Sequence, residues 1–315
     1  MASPNHVDNA IYELLSSLGW GLTTGFPIGN GRVFWVDGLA GNDGNSGTRP
    51  DDPFATITFA LTQCVADRND YIFVLDHWQE VVAINITRVH IIGLSNYLRP
   101  NSNHSFVQMN AAADTAIFTV TALSNNCEIA GFSFGGGATH AGIENAGGTP
   151  MGLHIHDCVF GHSFAGGTPQ DGIRISVNAT NIRIEHCVFL GAPGGKGTIT
   201  RDGIRWLCGG DPLNGDIENN TFNALPGIGV NFAQVAAATG GIVIKDNIFA
   251  CESDKQGAAI TMEATTRGFI VTGNKALYGQ VTAGMINNPY LDNAIVAPFN
   301  AWMANYKGNA LVDPA

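Results

Sequence analysis

Beginning near Cys127, apolar and polar positions alternate in a short phrase that occurs six times. Each copy has an apolar-x-apolar strand, two polar residues, then Cys or Asn, and usually x-Phe. The copies are CEIAGFSF (Cys127–Phe134), LHIHDCVF (Leu153–Phe160), IRIEHCVF (Ile182–Phe189), DIENNTF (Asp216–Phe222), IVIKDNIF (Ile242–Phe249) and FIVTGNKA (Phe269–Ala276). The alternation has a period of two, the mark of a half-buried strand rather than a helix. Anchored on Ile129, Ile155, Ile184, Ile217, Ile244 and Val271, the copies are spaced by 26, 29, 33, 27 and 27 residues. A period of that length signals stacked repeats, and with a strand in each unit it predicts one coil of a parallel β-solenoid per copy. A second strand keeps step between copies: AGIENA (Ala141–Ala146), DGIRIS (Asp171–Ser176), DGIRWL (Asp202–Leu207), GIGVNF (Gly227–Phe232), AAITME (Ala258–Glu263) and AGMINN (Ala283–Asn288).

With these two strands in register, the chain resembles the pectate-lyase-like right-handed parallel β-helix superfamily over roughly residues 33–288. The segment Val33–Leu61 is similar to the opening of many β-helix proteins, with an aromatic-V-D, then G-N-D, G-T and P-F-x-T-I-x-x-A. The resemblance implies an all-β, single-stranded right-handed parallel β-helix. Short helical caps are expected at both ends, over residues 1–32 and 289–315. Gly38, Gly41, Gly44 and Gly47 among Asn42, Asp43 and Asn45 predict a tight polar loop. Asp43, Asn45 and Gly47 mimic the start of an EF-hand, but Phe54 stands where that loop needs a bidentate Glu, so turn chemistry is expected instead of a metal. Thr56, Ile57, Phe59, Ala60 and Leu61 then begin an amphipathic segment suited to lidding the first coil.

Overlaying the copies sorts the polar residues. Cys158, Cys187, Asn220, Asn247 and Asn274 share one position, which predicts an internal column of hydrogen-bonded Asn with small buried Cys filling the same slot. Cys64, Cys127, Cys208 and Cys251 lack metal-type spacing, and free thiols are expected throughout. Phe134, Phe160, Phe189, Phe222 and Phe249 predict an internal aromatic ladder.

Two outward columns carry the candidate chemistry: His154, Arg183, Asp216, Val243, Ile270, and His156, Glu185, Glu218, Lys245, Thr272. Glu185 and Glu218 fall one coil apart, about 5 Å. Adjacent carboxylates at that distance drive one pKa upward, and such a pair serves glycosidic-bond cleavage. Beside Arg183, Asp216, His156 and Lys245 the same pair suits β-elimination on an acidic sugar. The alternative is a charge ladder that neutralises a solvent face through cross-strand pairs, and this is the reading adopted, with no residue assigned to catalysis. Glu144, Arg174 and Arg205, with Asp171 and Asp202, form a further outward column, read as pairs and turn residues. The superfamily's lyases pair a calcium-binding Asp cluster with a catalytic Arg, and its pectin hydrolases use paired Asp with G-H-G. Neither pattern is matched residue by residue.

At the ends, Val7, Ile11, Leu14, Leu15 and Leu18 fall on one helical face, which fits a helix packed on its own solenoid or an anchor to a partner. Phe299, Trp302, Met303 and Tyr306 recur at helical spacing after Pro298, predicting a capping helix; Trp302 and Tyr306 are further candidates for contact with another subunit. The first 21 residues have no basic n-region or A-x-A site, so a secretory signal is not expected.

Only 13% of residues are charged, against 40 glycines and a net charge of −11. The glycines suit a chain of sharp turns, and about nine coils give a rod on the order of 43 Å long. Few charges on a slim rod imply that neighbouring chains cover part of it. The negative balance argues against nucleic acid and anionic membranes, and no apolar run is long enough to span a bilayer. The expectation is a non-catalytic structural protein of a virus-like particle, similar to a phage head-decoration or spike β-helix. It would be homotrimeric, made in the host cytoplasm and housed in the virion, with capsid or tail proteins as partners and no cofactor. The alternative is a polysaccharide lyase or glycoside hydrolase acting on a cell-surface polysaccharide.

Overall fold

The computed structural model describes residues 31–311 except 77–78, 95–106, 111–113, 122, 136–137, 146, 149, 162–168, 178, 192–197, 208–212, 234–240, 252–257, 264–265, 267, 279–288, 295–299 and 308–309. The expected N-terminal helix with Ile11, Leu14, Leu15 and Leu18 lies outside these residues, as do Phe299 and Cys208. The rest is a parallel β-solenoid with one short helix. Its strands form three sheets of ten, nine and eight strands, here called the first, second and third, and the coils from Val89 to Asp292 visit them in that order.

The repeated phrase is two strands, not one. In the coil starting at Leu153, His154–His156 joins the first sheet and Val159–Phe160 the second, and Asp171–Ile175 follows in the third. One left-handed residue makes the corner between the first two: Asp157, His186, Asn219, Asp246 and Gly273 have φ of 50°, 53°, 56°, 55° and 69°. Asp, Asn and Gly tolerate that region better than most residues, because a short polar side chain or a missing Cβ eases it. The corner residue is the second of the "two polar residues" of the phrase.

The corner turns the next residue inward, and there the predicted column stands. Asn220, Asn247 and Asn274 are at most 1% exposed, as are Cys158 and Cys187. Each Asn Oδ1 accepts the backbone N–H of the preceding coil's column residue: Cys187 N to Asn220 at 2.9 Å, Asn220 N to Asn247 at 3.0 Å, Asn247 N to Asn274 at 3.1 Å. Each Nδ2 donates backward to a carbonyl (Ile184, Ile217 and Ile244 for the three, at 2.8–2.9 Å) and forward to the next Oδ1 at 3.0 Å. Asn305 extends the column by one coil. Cys158 and Cys187 are free thiols, and burial pushes Cys187 well up, with the Cys158 thiol adding to it.

Beside the column runs the aromatic ladder. Phe134, Phe160, Phe189, Phe222 and Phe249 stack at centroid spacings of 5.0, 4.9, 4.6 and 4.7 Å, matching the ≈ 4.8 Å strand spacing. Third-sheet glycines make room for it: a Cβ on Gly203 would lie 2.6 Å from the Phe222 ring, and one on Gly229 would lie 2.3 Å from Phe249.

At the N-terminal end, Thr56 caps the helix Ile57–Gln63, accepting from Phe59 N, and Ile57, Ala60 and Leu61 are buried against the first coils. The loop before it closes on itself, with Asp43 accepting from Ala55 N, Thr56 N and Thr56 Oγ1. The C-terminal end corrects the sequence reading. Ala301–Met303 and Tyr306–Lys307 are strands that continue the first and second sheets, so the solenoid runs past residue 288 and no capping helix forms there. WMANYK is another copy of the phrase: Trp302 is in register with Val271, Ala304 makes the corner and Asn305 joins the column. Trp302 therefore packs against the core and donates to Asp292 at 2.7 Å, rather than standing free for a partner. Closure comes from a final antiparallel strand, Ala310–Leu311, paired with Tyr306–Lys307.

Asn247→Leu leaves the Asn220 amide, Asn274 Oδ1 and the Ile217 carbonyl short of a partner. It should lower unfolding free energy by roughly 1–3 kcal/mol in denaturant titration. Gly203→Ala, which drives a Cβ into the Phe222 ring, should lower stability by a similar amount, about 1–3 kcal/mol.

Candidate functional site

The outer side of the first sheet carries the two expected columns in register. One runs His90, Glu128, His154, Arg183, Asp216, Val243, Ile270, and the other Ala130, His156, Glu185, Glu218, Lys245, Thr272. Parallel pairing without a shift puts residues of one phrase position side by side, and i, i+2 spacing keeps both columns on one face.

Toward the C-terminal end, fixed cations hold the carboxylates. Arg183 Nη2 is 2.7 Å from Glu185 Oε2 and 2.9 Å from Glu218 Oε1, and Lys245 Nζ is 2.5 Å from Glu218 Oε2. The hydrogen bond from Lys245 holds Glu218 below the usual carboxylate range; burial opposes this and the Arg183 hydrogen bond adds to it. Asp216 lies beside Arg183, its charge adding to the fields that keep Arg183 and Lys245 protonated. Glu185 and Glu218 do face one another across adjacent coils, but one guanidinium nitrogen sits between them.

His156 departs from the expected pairing. Instead of serving Glu185 it turns the other way: Nε2 lies 2.7 Å from Glu128 Oε1 and Nδ1 lies 2.7 Å from Asp157 Oδ2. The nearer carboxylates capture it, since Glu128 is diagonal to it on the preceding strand and Asp157 is its neighbour at the corner. Glu185 takes His154 Nε2 instead, at 2.7 Å. Glu128 Oε2 meets His90 Nδ1 at 2.5 Å, and His90 Nε2 reaches Asn69 Oδ1 at 3.0 Å, its ring stacked on Tyr71. Burial opposes the charge on His156, but the hydrogen bonds to Asp157 and Glu128 outweigh it and lift the ring to about 10. Burial likewise works against ionised Glu128, and bonds from His156 and His90 hold it well below its ordinary range. His154 is pushed down by burial and then by the charge of His156.

Glu128 and His90 did not figure among the sequence candidates. Both occupy the outward slot of the phrase, Glu128 in its first copy and His90 in V-H-I-I-G one coil earlier, so extending the register upward would have found them. On the third sheet, Arg174, Arg201 and Arg205 bind Asp171 and Asp202, with Glu144 3.5 Å from Arg174. This column is paired as its turn residues suggested.

No family model matches the chain, and no curated protein does. Among solved structures, an alginate lyase from Paenibacillus sp. str. FPU-7 is similar at 15% identity and a TM-score of 0.39, over 89% of this chain and 96% of that one. ORF18 of Geobacillus virus E2 aligns at 10% identity and TM-score 0.31, over 95% of this chain and 64% of that one. A GH136 lacto-N-biosidase from Eubacterium ramulus aligns at 10% and 0.24, over 94% and 72%. At these scores the likenesses do not bear on activity.

The acid limb of stability should carry the signature of Glu218. A folded pKa below the unfolded value gives stability that is present above about pH 4.5 and lost as pH falls through the folded value. Thermal midpoints should therefore drop below pH 4.5, and Glu218→Gln should flatten that drop by lowering the midpoint at neutral pH, where the ionised side chain contributes, while changing it little at low pH.

Proposed function

We propose that this chain is a non-catalytic structural β-solenoid, a decoration or spike subunit of a virus-like particle that assembles as a homotrimer. One observation carries the non-catalytic part: Arg183 Nη2 lies between Glu185 and Glu218, and Lys245 holds Glu218 from the far side. A glycosidase needs one of its two carboxyls free and protonated to act as the acid. Here Glu218 is held ionised by cations, and Glu185 is shared between Arg183 and His154. The arrangement is that of a cross-strand charge ladder, which lets a parallel sheet present polar side chains to water without like-charge repulsion.

Support for assembly comes from the last coils. Past Lys245 the outward columns carry no charge, with Ile270 41% and Met303 52% exposed beside Thr272, and Ile248 and Leu277 are exposed on the adjoining second sheet. Apolar side chains grouped at one end of a weakly charged rod fit contact with two further copies of the same chain. The resemblance of the repeat to phage β-helix proteins supports placement in a virion.

Sedimentation should give about three times the 33.1 kDa chain mass at micromolar concentration, and the double substitution Ile270→Asp, Met303→Asp should return a folded monomer. Glu185→Gln with Glu218→Gln should leave folding and assembly nearly intact. A wild-type protein that cleaves an acidic polysaccharide, with cleavage lost in that double variant, would overturn the structural reading in favour of a polysaccharide lyase or hydrolase.

A further inference from the structure

We propose that Glu128, His154 and His156 form a binding site for one divalent transition-metal ion on the outer face of the first sheet. One ligand atom from each lies within 4.8 Å of the others. Parallel pairing builds the constellation: His154 and His156, at i and i+2, project from the same side of one strand, and Glu128 stands in register with His154 on the strand before. Two imidazoles and a carboxylate on one side of the sheet are the ligand types that first-row ions accept in three-ligand sites with further positions for water, and small side-chain rotations would bring them to bonding distance.

Two features set this group apart from the ladder beside it. First, its carboxylates are met by imidazoles, not by fixed cations. Glu128 pairs with His90 and His156, and Asp157 with His156, whereas Glu218, two coils beyond His156, holds Arg183 and Lys245. A divalent ion bound there would take over, from the proton on His156, the neutralising role that guanidinium and ammonium groups have in the neighbouring coils.

Second, each candidate imidazole has a carboxylate on one of its nitrogens, Asp157 on His156 Nδ1 and Glu185 on His154 Nε2, both at 2.7 Å. Such carboxylates fix ring orientation and raise ligand basicity in metal sites. With Nδ1 of His156 so held, Nε2 faces Glu128 Oε1 across 2.7 Å. The proton that bridges these two atoms is the one a metal ion would displace, both atoms then binding it side by side. Solvent reaches the group through His154, whose side chain is 30% exposed. The mix of nitrogen and oxygen ligands favours zinc, cobalt or nickel over calcium and magnesium.

The test uses full-length, tag-free protein stripped with chelator and titrated with Co²⁺, whose visible absorption reports its ligands, and then with Zn²⁺. Wild type should bind one equivalent of Co²⁺, gain the visible bands, lose them to Zn²⁺, and melt at a higher temperature with metal. Glu128→Gln and His154→Ala should each weaken binding at least tenfold. His140→Ala on the third sheet and Glu218→Gln should leave it unchanged. Circular dichroism of each variant separates lost binding from lost folding. If His154→Ala does not fold, Glu128→Gln, which keeps the shape of the side chain, still decides the question. Absence of saturable binding by wild type up to millimolar Co²⁺ and Zn²⁺ overturns the site. So does equal binding by wild type and a folded Glu128→Gln, His154→Ala double variant.

Discussion

Each coil must turn a sharp corner between the first and second sheets, and that corner points a backbone N–H into the core where no strand can receive it. A buried amide without a partner costs about 1–3 kcal/mol, and the cost would recur in every coil. The Asn column removes it: one side-chain oxygen takes the amide of the preceding coil and the same side chain's nitrogen holds a carbonyl there. Because each Asn serves the coil before it and is served by the one after, the column also fixes register. A slip by one residue would turn the Asn outward and the anchors Ile184, Ile217 and Ile244 into water. The stacked Phe ladder and the glycines that admit it depend on that same alignment.

Once register is fixed inside, it is fixed outside as well, and the outer face becomes a linear arrangement written by one residue per coil. On the first sheet that arrangement changes character along the rod. Apolar side chains come first, with Trp35, Phe73 and Ile92 in a buried cluster. Imidazoles and carboxylates follow from His90 to His156. Glutamates bound by Arg183 and Lys245 come next, and exposed Ile270 and Met303 last. The same backbone thus carries exposed apolar side chains, a cluster of imidazoles and carboxylates, and a neutralised polar stretch within one sheet. The chemistry of each stretch is set by which partner the neighbouring coil happens to present, as the division of labour between His154 and His156 shows.

The candidate site illustrates how little separation decides its character. Glu185 and Glu218 stand one coil apart on one face, the placement that carboxylate catalysis uses, and their neighbours engage both. A single guanidinium nitrogen contacts both carboxylates. One coil earlier, with imidazole in place of Arg and Lys, the same geometry becomes suited to a metal ion.

Periodicity in the sequence determined the solenoid, the Cys158-to-Asn274 column, the phenylalanine ladder and the membership of both outward columns, since inward or outward placement follows from strand alternation alone. It also contained what was misread: WMANYK at the C-terminus obeys the repeat as well as it obeys a helical spacing, and over so short a stretch only pairing with the preceding coil decides between them. The corner that divides the phrase into two strands depends on one left-handed residue, a property of backbone angle that Asp, His and Ala share with other conformations in sequence. Side-chain partnership was decided by the tertiary structure alone. Alternation places His156, Glu185, Glu128 and Asp157 near one another, but which carboxylate an imidazole turns toward depends on rotamer, corner geometry and the competing Arg183, all of which exist only once the coils are stacked.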